Sequence, residues 1–290
     1  MRAFFLGCCL LGLQITTFGQ WIPTNGPYGG GVMLLSAYGN DLYTATNDKM
    51  YLSTDTGSNW SCISSGLPDV LNRIMTMVRL DTFLFIGTQD MDGLVFRAGT
   101  GTYQWTIMQN GLHIHDFPTS MEIFGGDIYL ATIYGVYRSE NAGELWNSMN
   151  TGLAGITCLV LQAHDDRLYA GTDQGSIFYL DDPVVGWLPF NTAPLPSNCD
   201  IFCLCFRDSL LFAGTSKGVF RTADGGCSWD TCNTGLTYTY VVNMAWDSMY
   251  LYATGGWDGV FRSADNGNNW EPVNTGLPYR PVNTIDREYN

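Results

Sequence analysis

Aspartate, glycine and tryptophan recur together at one spacing in this chain, as Ser/Thr-x-Asp-x-Gly-x-x-Trp. The pattern runs from Ser53 to Trp60, Thr222 to Trp229 and Ser263 to Trp270, and Asn141 replaces the aspartate between Ser139 and Trp146. Weaker echoes end at Trp105, which lacks both Asp and Gly, and at Trp187, where Asp182 stays but Val184 stands at the glycine position. A repeated carboxylate could serve as acid, base or ligand. The same spacing also builds a hairpin: Asp55, Asp224 and Asp265 can accept backbone N–H groups of a tight turn. Gly57, Gly143, Gly226 and Gly267 can supply positive φ, and Trp60, Trp146, Trp229 and Trp270 can lock the turn by packing. The expected role is structural.

Two other groupings could do chemistry. His113-Ile-His115-Asp116 holds two of the three histidines, and alternate residues of an extended segment point the same way, as zinc ligands must. No partnering His or Cys is evident, so ligand contact or a solvated loop is expected there, and no metal. Asp90-Met-Asp92-Gly93 offers two carboxylates where calcium takes six or more oxygens. Cys199, Cys203 and Cys205 also fall short of a metal set: Cys203 and Cys205 share one face of the apolar run Ile201 to Phe206, which suits packing or a disulfide. No cofactor is expected.

Hydrophobic residues make up 46% of the 290 and charged ones 14%, a globular composition with a largely neutral polar surface. The net charge is −14, which disfavours nucleic acid and anionic membranes, since phosphates need clustered Lys and Arg. Residues 1–19 read as a secretory signal: Arg2, a short apolar run from Ala3 to Leu13, and a small-residue exit before Gly19-Gln20. That run is too short for a membrane span, and no other segment is longer. Export is the expectation, to the cell surface, the periplasm or the medium. Seven of the nine cysteines would then remain, an odd number that leaves a free thiol or an intermolecular bridge.

The elements that position these groups follow from the tryptophans. Trp21, Trp60, Trp105, Trp146, Trp187, Trp229 and Trp270 stand 39 to 45 residues apart, and Gly-Leu comes six residues after most of them. Within each period four short runs rich in β-branched and aromatic residues are divided by Gly, Asn and Asp, which is strand and turn chemistry. Four antiparallel strands per period of this length signal a β-propeller blade, because one such sheet has two apolar faces that only neighbouring blades can cover. The expected fold is therefore all-β, a single propeller domain over residues 20–290. Its six complete blades lie near 31–67, 68–112, 113–153, 154–195, 196–236 and 237–277. Residues 21–28 and 281–290 supply parts of an incomplete seventh. Either the reading frame is truncated, or the ring is six-bladed or open.

The box pattern resembles the Asp-box, or bacterial neuraminidase repeat, of sialidases, sortilin-like receptors, xyloglucanases and photosystem II assembly propellers. Its closest likeness, including Trp21-Ile-Pro-Thr-Asn-Gly-Pro-Tyr-Gly-Gly, is to secreted bacterial Asp-box proteins that often carry a C-terminal sorting domain. The resemblance implies that the boxes join strands three and four, away from the binding face. Sialidase chemistry does not carry over: Arg97, Arg138, Arg221 and Arg262 recur at one repeat position as scaffold, and the Arg-Ile-Pro motif is absent. The chain is also too short for the two propellers of a xyloglucanase, and it lacks the arginine patch of the assembly factors. The expected function is non-catalytic binding of an extracellular glycan, protein or cell-surface polymer. The alternatives are a glycoside hydrolase or sialidase-like enzyme, and an architectural module of a larger secreted protein. Candidate ligand contacts on the loop face are Trp257, Asp258, His113, His115, Asp116, Asp90, Asp92, Tyr134, Tyr238 and Tyr279.

Overall fold

A computed structural model describes residues 3–5, 21, 24–27, 31–47, 49–69, 73–89, 93–113, 115–153, 155–190, 195–196, 198–255, 258–277 and 282–287. Six four-stranded antiparallel sheets, each in sequence order, form the blades of a β-propeller. Blade three shows the plan: Pro118–Phe124 innermost, then Asp127–Thr132, Gly135–Ser139 and, outermost, Asn147–Ser148. No helix among the described residues is long and apolar enough to cross a membrane.

Position within the blade explains each strand's composition. Second strands are covered on both faces by neighbouring blades, so Ile128 to Thr132 are buried without alternation, as are Leu168, Ala170 and Thr172 in blade four. Fourth strands lie on the rim, and both residues of each are exposed, from Ser61–Cys62 to Glu271–Pro272. Edges of only two residues offer little backbone for recruiting further strands.

The inner strands set the ring number. Leu34–Tyr38, Ile74–Leu80, Pro118–Phe124, Cys158–His164, Ile201–Arg207 and Asn243–Trp246 each lie against the next, and Ile285–Arg287 touches both the last and the first. Seven inner strands thus surround the axis, six with complete blades. Ile285–Arg287 pairs antiparallel with Ala3–Phe5, with Phe4 opposite Asp286. Val282 and Ile285 are buried against Ala245 and Val260 of blade six, with Trp21 packed on the same cluster.

Blades are latched by the tryptophans, across the seam rather than within one hairpin. Trp146 donates its indole N–H to Met108 O of the preceding blade at 3.0 Å and its backbone N–H to Asn110 O at 2.9 Å. Trp105, Trp187 and Trp270 repeat the indole bond with Ile63, Met149 and Cys232. The Gly-Leu glycine is what lets the latch close: a Cβ on Gly111 would stand 2.1 Å from Trp146 O. Trp21 does the same to blade six, its indole bonded to Val273 O and its backbone facing Gly276. It therefore occupies the ruler position of the seventh blade.

A second latch comes from the repeated arginines. Arg97 and Arg221 reach the box of the following blade, donating to Ala142 O and Asn266 O at 2.7 Å each. Arg262 turns instead to Glu271 at 2.6 Å, a partner on the exposed rim. Arg221→Ala should therefore cost about 1.5 kcal/mol in urea unfolding, from a charge-assisted bond to a backbone carbonyl. Arg262→Ala should cost under about 1 kcal/mol, as a rim ion pair does. Equal costs would contradict a cross-blade role for Arg221.

Candidate functional site

The box aspartates are committed to their turns. Asp265 Oδ1 accepts from Ser263 Oγ at 2.8 Å and Asn269 N at 2.9 Å, and its Oδ2 accepts from Asn269 Nδ2 at 2.8 Å. Asp55 and Asp224 repeat this with Asn59 and Ser228. Asn141 keeps only the oxygen-side bonds, from Ser139 Oγ and Leu145 N. These donors favour the charged form, so Asp55 and Asp265 are held below the ordinary carboxylate range and Asp224 is lowered to about 2, first by Ser228. Gly57, Gly143, Gly226 and Gly267 all sit near φ +85°. The carboxylates most repeated in the sequence are thus hairpin clamps.

The opposite end of the ring carries the connections from strand two to strand three and from each blade to the next. Its most developed feature is an aromatic shelf at blades five and six. Phe202 on the inner strand of blade five meets Tyr240 at 4.6 Å between ring centroids, and Tyr240 meets Tyr238 at 6.2 Å. Tyr238 is 43% exposed and Tyr240 37%, so the rings form a surface and not a core. Gly255 holds the shelf from behind, since a Cβ there would stand 1.9 Å from Tyr240 O. Partial burial raises the Tyr240 phenol, with Asp200 and Tyr238 adding to the rise and Arg73 opposing it. A shelf of tilted rings flanked by a carboxylate and a guanidinium can stack a flat or apolar face while bonding polar groups at its rim.

Other expected contacts are placed differently. Tyr134, 60% exposed, stands in the turn between strands two and three of blade three. Asp258 accepts from Thr237 Oγ1 and, through its carbonyl, from Asn274 Nδ2, tying two loops of blade six together. Asp116 is turned inward with 1% exposure: its Oδ2 accepts from His113 N and Tyr137 Oη at 2.7 Å each. It braces the turn instead of facing a ligand. His115 takes φ +74° with its ring 6.1 Å from Phe117. Trp257, Asp90, Asp92 and Tyr279 lie outside the described residues.

No group of three or more His, Cys, Asp or Glu among the described residues is arranged to hold a metal. Cys203, Cys205 and Cys232 pack in one apolar cluster with Phe212, and burial pushes the Cys158 thiol up to about 12. All seven cysteines from Cys62 to Cys232 are free thiols, with Cys62 and Cys227 exposed.

The axial channel forms a second concave feature that the sequence did not single out, about 580 Å³ in volume and bounded by all seven inner strands. Inner strands have no neighbour on the axial side, and adjacent blades cap their N–H groups. Met121 N donates to Thr76 Oγ1 at 2.7 Å, Leu161 N to Ser120 Oγ at 3.0 Å and Ala37 N to Asp286 Oδ2 at 3.0 Å. Glu122 accepts from Ile123 N at 3.2 Å and from the Ala163 backbone N–H.

No family model matches the chain, and no curated protein matches it in sequence. Among solved structures it is similar to the extracellular domain of a hybrid two-component system from B. thetaiotaomicron, with TM-score 0.69 and 15% identity over 90% of this chain. A GH74 xyloglucanase from Xanthomonas campestris gives TM-score 0.71 and 14% identity over 95% of the chain. The chain spans 38% of the first of these proteins and 54% of the second. YCF48 bound to D1 peptide gives TM-score 0.66 and 15% identity, covering 87% of this chain and 84% of that one. These likenesses establish the propeller fold.

Proposed function

We propose that the chain is an exported, non-catalytic propeller that binds an extracellular glycan or protein segment through the shelf formed by Phe202, Tyr238 and Tyr240. The shelf itself carries the reading, because its rings are contiguous and those of Tyr238 and Tyr240 are left in solvent, as in apolar patches that serve interaction. The leader-like residues 1–19, the net charge of −14 and the likeness to extracellular domains support export. The likeness to a propeller solved with a bound peptide, YCF48 with D1 peptide, supports a protein segment as one such ligand.

Catalysis finds less support. The box carboxylates are spent on their turns, and Asp116 is spent on Tyr137. The test is a panel of extracellular polysaccharides and unstructured peptides probed with wild type and Tyr240→Ala. Loss of one stacking residue should weaken the selected ligand about ten-fold or more. Unchanged binding would remove the shelf from the site, and turnover of fluorogenic glycosides by the purified chain would overturn the non-catalytic reading.

A further inference from the structure

The strand registers place one residue of each complete blade's inner strand at a single height around the channel, with Val78, Cys205 and Ala245 packed into the clusters between blades. Ser36, Val78, Glu122, Gln162, Cys205 and Ala245 each stand opposite an aromatic of their second strand: Tyr43, Phe85, Tyr129, Tyr169, Phe212 and Tyr252. Asp286 is the seventh member, because it caps Ala37 N as Glu122 caps the equivalent Ala163 N–H. The ring thus holds two carboxylates, and none of its seven positions is a lysine or arginine. We propose that the channel is a binding site for a small organic cation, an alkylammonium or guanidinium group seated against Glu122.

Four observations support this site. Its volume of about 580 Å³ lies in the ordinary range for small-molecule pockets, roughly 300–1,000 Å³. Glu122 takes part in no salt bridge among the described residues, and the hydrogen bonds it accepts there come from the backbone N–H groups of Ile123 and Ala163. Burial accordingly raises it to about 7, and a cation would supply the missing compensation. The chain's net charge of −14 also draws cations toward an enclosed carboxylate.

The other ionisable groups lining the channel are Tyr38, Arg79, His164, Cys205 and Asp286. Arg79 donates from Nε to Asp81 O at 3.2 Å, and His164 stacks on Phe206 at 4.0 Å beside Asp165 at 3.4 Å. Both therefore belong to the hairpin end of the inner strands. An organic cation is favoured over a metal ion because no three metal-ligating side chains among the described residues converge.

The experiment is a titration of the full chain with 1,5-diaminopentane at pH 8.5 and pH 5.5, read by calorimetry and by emission of Trp246, which lines the same channel. Binding should be at least about ten-fold weaker at pH 5.5, where Glu122 is protonated. Glu122→Gln should abolish binding at pH 8.5 and leave circular dichroism unchanged, and pentane-1,5-diol should not bind the wild type. The proposal is overturned by equal affinity at the two pH values, by retained binding in Glu122→Gln, or by no binding at pH 8.5. It is also overturned if calcium chloride occupies the Glu122-dependent site more tightly than the diamine.

Discussion

Gly152→Ala should cost about 4 kcal/mol or more, enough to unfold a marginal chain, whereas Gly125→Ala should cost about 1 kcal/mol. Both glycines have positive φ, +91° at Gly152 and +61° at Gly125, so both substitutions carry the left-handed penalty of about 1–2 kcal/mol for an L-residue. Only Gly152 carries a clash. Its added Cβ would stand 2.1 Å from Trp187 O and 3.0 Å from Trp187 C, both rigid backbone, while nothing lies within 4 Å of a Cβ on Gly125. Relief would require moving the Trp187 backbone away from Thr151 O, which accepts its N–H at 2.9 Å, and the indole away from Met149 O at 2.8 Å. The seam between blades three and four opens with it. Urea midpoints of the two variants decide the matter, and costs within about 1 kcal/mol of each other would show that the seam yields locally.

The same seam shows how far the sequence could be read. Spacing alone marked the tryptophans and the glycines six residues on, and hence the blade count and the ruler role of Trp21. It did not show that each tryptophan serves its neighbour. Trp146 and its acceptor Met108 are 38 residues apart, and recurrence at one period looks the same whether contacts fall within a repeat or across two. Among the described residues, the buried indole N–H groups of Trp60 and Trp229 have no hydrogen-bond partner. Each follows a place where the pattern departs, the Trp21 segment for one and Ala193-Pro194-Leu195 for the other.

Site residues were less legible for a related reason. His113-x-His115-Asp116 reads as an outward chelate if the segment is extended, but Tyr137, 21 residues on, captures Asp116 and pulls its carboxylate inward. Phe202 reads as one more apolar residue of an inner strand. Its exposure to the shelf depends on Tyr240 arriving from the next blade. Glu122, between Met121 and Ile123, has the alternation of a strand with one wet face. In a propeller the inner strand's polar side faces the axis, where solvation is scarce.

That scarcity makes stability depend on pH through Glu122. Its folded value of about 7 lies above the ordinary 4.5, so the fold prefers the protonated carboxyl. The favourable contribution is fully present below about pH 4.5, declines as pH rises, and is lost once pH passes about 7. At 1.36 kcal/mol for each factor of ten in acidity, the ionised carboxylate costs about 3 kcal/mol, less whatever channel water recovers. Glutamine is isosteric, stays neutral and still offers an oxygen to the N–H of Ile123 or Ala163. Glu122→Gln should therefore match wild type at pH 4 within about 1 kcal/mol and exceed it by about 3 kcal/mol at pH 8.5, in urea unfolding at constant ionic strength. A difference that stays flat with pH would mean that water already solvates the carboxylate. The proposed cation acts on the same charge, so 1,5-diaminopentane should raise the wild-type midpoint at pH 8.5 toward that of Glu122→Gln and leave the variant's midpoint where it was.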